Sequence, residues 1–252
     1  MALGPRRVYP VLGAPIDALS AQTAVQRIAE WAQRRESRVV CICNAHSVVT
    51  AAHDPAFMRA LQAADMATPD GAPVAWMLRR QGVAGQQRVS GPDLMLDCCA
   101  QLAQQGVSIF LYGSSPATLD ALQRALRVRE PGLHIAGAHS PPFRALTAAE
   151  DTAVVDHIHA SGAGVVWVSL GCPKQELWMA AHRGRVQAVM VGVGAAFNFH
   201  AGTVRRAPLW MREHGLEWLY RLASEPRRLW RRYLLTNTAF LVGAARQWWA
   251  QR

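Results

Sequence analysis

Polar side chains that could take part in chemistry follow short apolar runs in this chain. Asn44 lies near the end of the run RVVCICNAH (38–46), and its amide offers a donor and an acceptor to a polar ligand. The alternative is that Asn44 only caps the next helix, a position that asparagine favours. Gly113 and Ser114 lie in YGSSPATL (112–119), where small residues open a helix whose free N–H groups could meet a phosphate.

A second set of polar side chains is adjacent in the string LGCPKQELWM (170–179). Lys174 is the only lysine among 27 lysines and arginines, which suggests that an ammonium group is needed there. Together with Gln175 and Glu176, and with Gly171 just before them, it could bind sugar hydroxyls or phosphate oxygens. The alternative is a proline-started helix with Gln and Glu in its first turn.

The string GVGAAFNFHAG (192–202) combines glycines with aromatic residues. Gly192 and Gly194 would let a ligand approach the backbone, and Phe197 could flank a nucleobase. The alternative is a tightly packed crossing from a strand to a helix. Both interpretations remain open from these residues alone.

Asp70 is the candidate general base, in the Pro-Asp-Gly turn at 69–71. An aspartate in a turn is most often structural. A carboxylate held on a loop beside a cleft can also take the proton of an attacking hydroxyl. No DxD string occurs, and no His, Asp or Glu cluster has metal-ligand spacing, so we expect no metal and no other cofactor. Arginines would then neutralise any phosphate.

The elements that must position these groups follow an alternating pattern. Apolar runs that end in Gly, Asn or Ser are typical of buried parallel strands. They are RVVCICNAH (38–46), VSIFLYGSS (107–115), GLHIAGAHS (132–140), GVVWVSLG (164–171) and VQAVMVGVG (186–194). Stretches such as 91–105 and 118–130 between them have helical spacing. The alternation predicts an α/β fold with a Rossmann-like, mostly parallel sheet flanked by helices, which binds ligands at the carboxyl ends of its strands.

Composition divides the chain near residue 202. The chain has 252 residues, of which 51% are hydrophobic and 17% charged, which excludes a disordered protein. Residues 203–252 hold ten arginines, three glutamates and five of the nine tryptophans, and the net charge of the whole chain is +10. We therefore predict a Rossmann-like catalytic body at 1–202 and a basic, Trp-rich helical appendage at 203–252. Five cysteines without a CxxC pair favour a reducing cytoplasm, and we expect neither a secretory signal nor a membrane span.

The appendage contains a predicted amphipathic helix that begins at Glu225 and Pro226. At about 100° per residue, the arginines and the apolar residues fall on opposite sides. The basic side holds Arg227, Arg228, Arg231 and Arg232, and the apolar side holds Leu229, Trp230, Tyr233 and Leu234. Such a helix can pack on the body, or it can lie on an anionic bilayer.

Five strings in this order resemble the WecG/TagA/CpsF family, glycosyltransferase family 26, from about Ala14 to Phe240. They are PDG (69–71), LGCPKQE (170–176), GVGAAFNFHAG (192–202), RAPLW (206–210) and GLEWLYRLASEPRRLWRRY (215–233). The resemblance implies an inverting, metal-independent transfer of a sugar from a UDP-sugar, typically of the N-acetylmannosamine type. The implied acceptor is a polyprenyl-diphosphate-linked sugar of cell-surface polysaccharide or teichoic-acid-type synthesis. The implied location is the cytoplasmic face of the plasma membrane, as a peripheral protein, and a homo-oligomer is compatible with it.

The resemblance also implies roles for particular residues. Asp70 corresponds to the catalytic base of the family, with Asn44 and Gln175 beside it in the pocket. Arginines of the appendage are implied to close over the site and hold the diphosphate. These are Arg221, Arg228 and Arg231.

Two other functional classes fit part of the sequence. A nucleic-acid-binding protein would account for the positive charge, but no helix-turn-helix pattern or aromatic-basic strand pattern is present. We therefore expect no nucleic-acid partner. A Rossmann-type nucleotide-binding enzyme of another class, such as an NAD(P) enzyme, fits the fold, but the GxGxxG string with a downstream acid is missing.

Overall fold

The computed structural model describes residues 5–250, apart from the side chain of Arg228. Within this range, a six-stranded parallel sheet has helices on both faces, and an antiparallel hairpin precedes it. The strands are β1 Val8–Val11, β2 Ala14–Asp17, β3 Arg38–Cys43, β4 Met66–Pro69, β5 Ile109–Gly113, β6 Ile135–His139, β7 Val165–Ser169 and β8 Val189–Gly192. The helices are α1 Ala21–Gln33, α2 Ala45–His53, α3 Pro55–Ala63, α4 Gly71–Arg80, α5 Gly91–Gln104, α6 Pro116–Arg129, α7 Ala148–Ser161, α8 Lys174–His182, α9 Ala196–His200, α10 Leu209–Glu213, α11 Glu217–Ser224 and α12 Pro226–Ala250.

The sheet confirms the predicted fold class. Its strand order is β4-β3-β8-β7-β5-β6, and β3, β5, β6, β7 and β8 coincide with the five predicted runs. The central strands are almost entirely buried because helices cover both faces, which accounts for their continuous apolar sequences. The strand β4 and the hairpin of β1 and β2 were not among the predicted elements. Each of these three strands has only four residues.

The helices divide between the two faces of the sheet. Val48 of α2 belongs to the core on one face, which also holds side chains of α3, α4, α7, α8 and α12. Phe197 of α9 belongs to the core on the other face, with side chains of α1, α5 and α6. The neighbouring strands β3 and β8 therefore send their following helices to opposite faces. In such sheets, this divergence opens a crevice at the carboxyl ends of the strands.

The C-terminal helix lies against the body. The predicted start at Pro226 is confirmed, and Leu229, Phe240 and Ala244 are buried along one side of α12. Near its end, the Gln247 side chain accepts a hydrogen bond from the Leu12 backbone N–H and donates one to a backbone carbonyl of the hairpin. The division at residues 202 and 203 remains a prediction from composition. None of the helices within residues 5–250 combines the length and apolarity needed to cross a bilayer.

A buried carboxylate joins the hairpin to the edge of the sheet. Asp17 is only 1% exposed, and its two oxygens accept hydrogen bonds from Arg6 Nε at 2.7 Å and Arg6 Nη2 at 2.9 Å. One of these oxygens also accepts the backbone N–H of Ala67 in β4 at 2.6 Å. The short strand β4 therefore depends on a side chain of β2 for part of its hydrogen bonding.

Replacing this carboxylate tests its structural role. We expect Asp17→Ala to lower the free energy of unfolding by about 3 kcal/mol, because it leaves the Arg6 guanidinium and a buried N–H without their partner. Asp156→Ala, at an exposed position of α7, is the matched control and should change stability by less than about 0.5 kcal/mol. Urea unfolding followed by circular dichroism measures both. Equal stabilities of the two variants would contradict the role of Asp17.

Candidate active site

Asp70 extends the pairing of the two edge strands by one residue. Its backbone N–H donates to the carbonyl of Cys43 at 2.9 Å, directly after the pairing of Cys43 with Pro69. This contact brings Asp70 to the carboxyl end of β3, where Asn44 follows. Asp70 precedes helix α4, but its side chain makes no capping hydrogen bond to that helix. The Asp70 carboxylate therefore does not serve as the N-cap of α4.

The surroundings of Asp70 make its carboxylate more basic than usual. Burial, and then the nearby Glu217 carboxylate, raise the pKa of Asp70 to about 6. Arg88, Arg206 and the backbone N–H of Gly71 act in the opposite direction. Such a group is mostly ionised at neutral pH and still accepts a proton readily, as a general base must.

Arginines and carboxylates from distant parts of the chain meet beside Asp70. Arg206 forms a bidentate pair with Asp93 at the start of α5. The Glu217 carboxylate accepts a hydrogen bond from Arg88 Nη1 at 3.3 Å and lies 3.5 Å from Arg206 Nε. Arg212 Nη1 lies 3.5 Å from the Asp93 carboxylate. The first turn of α11 is therefore tied to the body next to the candidate base.

Two of the appendage arginines, Arg212 and Arg221, keep buried donors that are not used. In the described part of the chain, the Nε atoms of Arg212 and Arg221 are buried and have no hydrogen-bond partner. The Arg221 guanidinium lies 5.7 Å from the centre of the Phe199 ring, and it lowers the pKa of Tyr233 against the raising effect of burial. Buried guanidinium donors without partners are suited to phosphate oxygens.

The other appendage arginines differ in where they point. Arg231 is exposed and lies 5.8 Å from the Trp230 ring, so the structure does not bring it to Asp70. The prediction for Arg228 concerns a side chain outside the described residues. Arg232 lies close enough to His46 in α2 to affect its titration. Burial, and then the charge of Arg232, lower the pKa of His46 to about 4.

Asn44 combines a structural contact with a place in the site. Its Oδ1 accepts the backbone N–H of Ser47 at 3.1 Å, so Asn44 does cap α2. Its Nδ2 has no hydrogen bond to the residues that the structure describes. The two interpretations of Asn44 are therefore compatible, because capping uses only the oxygen.

Gln175 and Glu176 are buried in the first turn of α8, and Lys174 beside them is exposed. The Gln175 amide lies against the end of β8, since a Cβ atom at Gly192 would be 3.0 Å from its Nε2. A Cβ atom at Gly194 would be 3.6 Å from its Oε1. Gly192 thus makes room for the Gln175 side chain, and Gly194 lies within ordinary contact distance of it.

The remaining predicted positions lie at the same edge of the sheet. Gly113 has φ +109°, and a Cβ atom there would lie 2.4 Å from the carbonyl oxygen of Ser169. The Ser114 N–H donates to that same carbonyl at 3.1 Å, so it is not free for a phosphate. Gly171, with φ +79°, is exposed and has open space on its Cβ side. Phe197 is completely buried in the core, so it does not face a ligand. The aromatic ring next to Arg221 of the appendage is that of Phe199.

Sequence reasoning did not identify several members of this cluster. Arg88, Asp93, Arg206, Arg212 and Glu217 were not proposed as site residues. A signal was present for two of them, because Arg206 and Glu217 lie within strings that carry the family resemblance. Among residues 5–250, no three His, Cys, Asp or Glu side chains come together as a metal site would require.

Comparison with known families agrees with this architecture. The family model described as Glycosyl transferase WecG/TagA/CpsF family matches residues 9–252. The match includes the sheet, the Asp70 turn and the helices after residue 203. It therefore covers both predicted parts of the chain.

The effect of Glu217 on Asp70 can be measured without a substrate. We expect Glu217→Gln to lower the pKa of Asp70, because it removes a nearby negative charge that now also balances part of the positive charge of Arg88 and Arg206. The carboxyl carbon signal of Asp70, assigned by its loss in Asp70→Asn, is followed by NMR across pH. Glu213→Gln, on the exposed end of α10, is the matched control. An unchanged or higher pKa in Glu217→Gln would contradict the proposed coupling.

Proposed function

The chain belongs to the WecG/TagA/CpsF family of glycosyltransferases, and from that premise we propose that it moves a sugar of the N-acetylmannosamine type from a UDP-sugar to a polyprenyl-diphosphate-linked acceptor sugar. Membership implies glycosyl transfer in cell-surface polysaccharide synthesis. The observation that carries the finer proposal is the Asp70 carboxylate, which does not cap α4, has a raised pKa and lies near Arg88 and Arg206.

Asp70 acts as the general base of an inverting displacement in this proposal. Its carboxylate takes the proton from the acceptor hydroxyl while that oxygen forms a bond to the anomeric carbon. The bond between the anomeric carbon and the diphosphate oxygen breaks at the same time, and its electron pair leaves with UDP. Attack occurs on the face opposite UDP, so the configuration at the anomeric carbon inverts.

Arginines stabilise the negative charge that develops on the departing UDP. Arg88 and Arg206 lie beside Asp70, and Arg212 and Arg221 keep buried Nε donors. Guanidinium groups bind phosphate oxygens through paired hydrogen bonds, and in a site shielded from water this charge stabilisation is large. We therefore propose that these arginines do the work that a chelated divalent cation does in other glycosyltransferases.

In the proposal, the transferred sugar ring lies between the Asp70 carboxylate and the arginines that hold the diphosphate. Asn44 offers Nδ2 as a donor, and Gln175 offers its Oε1, which has no partner among the described residues. A sugar carrying both hydroxyl and acetamido groups supplies acceptors and donors to both. Orientation by such side chains supports the displacement because it holds the anomeric carbon in line with the attacking oxygen.

The base is tested by removing only its carboxylate. We expect Asp70→Asn to reduce turnover by about 100-fold or more, with UDP affinity and folding nearly unchanged. In the wild type, kcat at saturating donor should fall as pH drops through about 6, because burial raises the pKa of Asp70 to about 6 and only the ionised form accepts a proton.

The assay transfers radiolabelled sugar to a water-soluble acceptor analogue in excess EDTA, since the arginines replace a cation in this mechanism. Asp156→Asn, at an exposed position, is the matched control. Turnover of Asp70→Asn within a few-fold of the wild type would reduce Asp70 to a turn residue. Loss of wild-type activity in EDTA that returns with magnesium or manganese would exclude the arginine mechanism.

The outward face of α12 supports the proposed contact with a membrane. Leu229 is buried, but Trp230 and Leu234 are 51% and 60% exposed, so much of the predicted apolar side does not pack on the body. Several other large apolar residues and arginines of α12 are also exposed. They are Leu235, Leu241, Val242, Trp249, Arg227, Arg231 and Arg246. Exposed tryptophan and leucine beside arginine are complementary to an anionic bilayer, where a polyprenyl-linked acceptor resides.

Charged substitutions on this face test the membrane contact. We expect Leu234→Glu combined with Leu241→Glu to weaken binding to phosphatidylglycerol vesicles at least about tenfold, because both exposed side chains would lose apolar contact and gain repulsion. Transfer to the water-soluble acceptor analogue should stay unchanged. Val128→Glu, at an exposed apolar position on α6, is the matched control. Vesicle binding equal to that of the wild type would contradict the membrane role of this face.

A further inference from the structure

A buried amide and a buried carboxyl group pair with each other at the start of α8. Gln175 is 4% exposed and Glu176 is 1% exposed. Gln175 Nε2 donates a hydrogen bond to Glu176 Oε1 at 2.8 Å. Burying a carboxyl group costs free energy, and the hydrogen bond from Gln175 offsets only part of that cost.

Each member of the pair keeps one unused oxygen. Gln175 Oε1 and Glu176 Oε2 are buried and have no hydrogen-bond partner among the described residues. An unsatisfied buried acceptor costs free energy, and a bound ligand that donates a hydrogen bond would recover it. The Gln175 oxygen lies on the side of Gly194, which follows the carboxyl end of β8, and parallel sheets bind their ligands beyond that end of their strands.

We propose that Glu176 is a positioning residue: its carboxylate holds the amide nitrogen of Gln175 and thereby directs the amide oxygen toward the donor substrate. This inference rests on the proposed function and deepens it. In this orientation, Gln175 accepts a hydrogen bond from the substrate through Oε1, while its nitrogen donates to Glu176. The substrate must therefore present an O–H or N–H group there, from a sugar hydroxyl, an acetamido group or the nucleobase. A bare phosphate oxygen is excluded from the position.

The same pairing makes the orientation of Gln175 sensitive to pH. Burial raises the pKa of Glu176 to about 7. The titratable groups that interact with it are the thiols of Cys41, Cys43 and Cys172, whose pKa values burial also raises, so they stay neutral near pH 7. The charge of Arg232, from α12, acts on Cys172.

Protonation would reverse the hydrogen bond between the two side chains. Above pH 7, the ionised Glu176 accepts from the Gln175 nitrogen. Below pH 7, the protonated carboxyl group becomes a donor and favours the rotated amide, which presents nitrogen to the substrate. Donor affinity should therefore fall as pH drops through 7, which is above the pH at which Asp70 is protonated.

The first arm of the test needs no substrate. The side-chain amide signals of Gln175, assigned by their loss in Gln175→Glu, are followed by NMR from pH 5 to 9. They should shift with a midpoint near 7 in the wild type and stay constant in Glu176→Gln. Glu30→Gln, the same change on α1 at the opposite end of the sheet, should leave the titration intact. Absence of the titration in the wild type, or its persistence in Glu176→Gln, would overturn the proposal.

The second arm measures binding by calorimetry at pH 8 with two probes, UDP-N-acetylmannosamine and UDP. We expect Glu176→Met, which offers the Gln175 nitrogen no acceptor oxygen, to weaken the UDP-sugar about tenfold and to change UDP less than twofold, if the sugar supplies the hydrogen. Equal weakening of both probes would still support the positioning role and would assign the hydrogen to the uridine that the two probes share. No change with either probe would overturn the positioning role. Failure of the wild type to bind either probe, with the NMR titration present, would contradict the proposed function and leave the role of Glu176 supported.

Discussion

The backbone pairing of β3 with its two neighbours is the constraint on which the rest of the site depends. Cys43 pairs with Pro69 on one side, and Cys41 pairs with Gly192 on the other. Because the strands are parallel, their carboxyl ends meet at one edge, and the groups that follow them converge there. A slip of one residue in either pairing would turn the neighbouring strand over and remove its part of the site.

The C-terminal appendage is joined to this edge of the sheet by ion pairs. Glu217, at the start of α11, lies between Arg88 and Arg206, and Arg206 also pairs with Asp93. The contacts of Arg88 with Glu217 and of Asp93 with Arg206 each join residues more than a hundred positions apart, so both require residues 88–93 to lie at the edge of the sheet. The same carboxylate raises the pKa of Asp70. Attachment of the appendage and basicity of the candidate base are thus linked through one side chain.

Two buried carboxyl groups serve different purposes at this edge. Burial raises the pKa of Asp70 to about 6 and that of Glu176 to about 7. Asp70 lies near Glu217, which opposes its ionisation, and near Arg88 and Arg206, which favour it. Glu176 instead faces an amide and neutral thiols, so its ionisation is opposed mainly by burial. Because their neighbours differ, Asp70 is suited to proton transfer and Glu176 is suited to holding the Gln175 side chain.

Local patterns in the sequence determined much of the fold. The apolar runs that became β3, β5, β6, β7 and β8, and the helix that begins at Pro226, were predictable because each is encoded by neighbouring residues. The strand β4 was missed because four residues before a turn carry little periodic signal, and its pairing depends on β3 and on Asp17. Only the tertiary structure decided that Phe199 faces Arg221, that Arg231 turns away, and that Glu217 meets Arg88. Such contacts depend on the register of strands and helices over long separations, which no local pattern specifies.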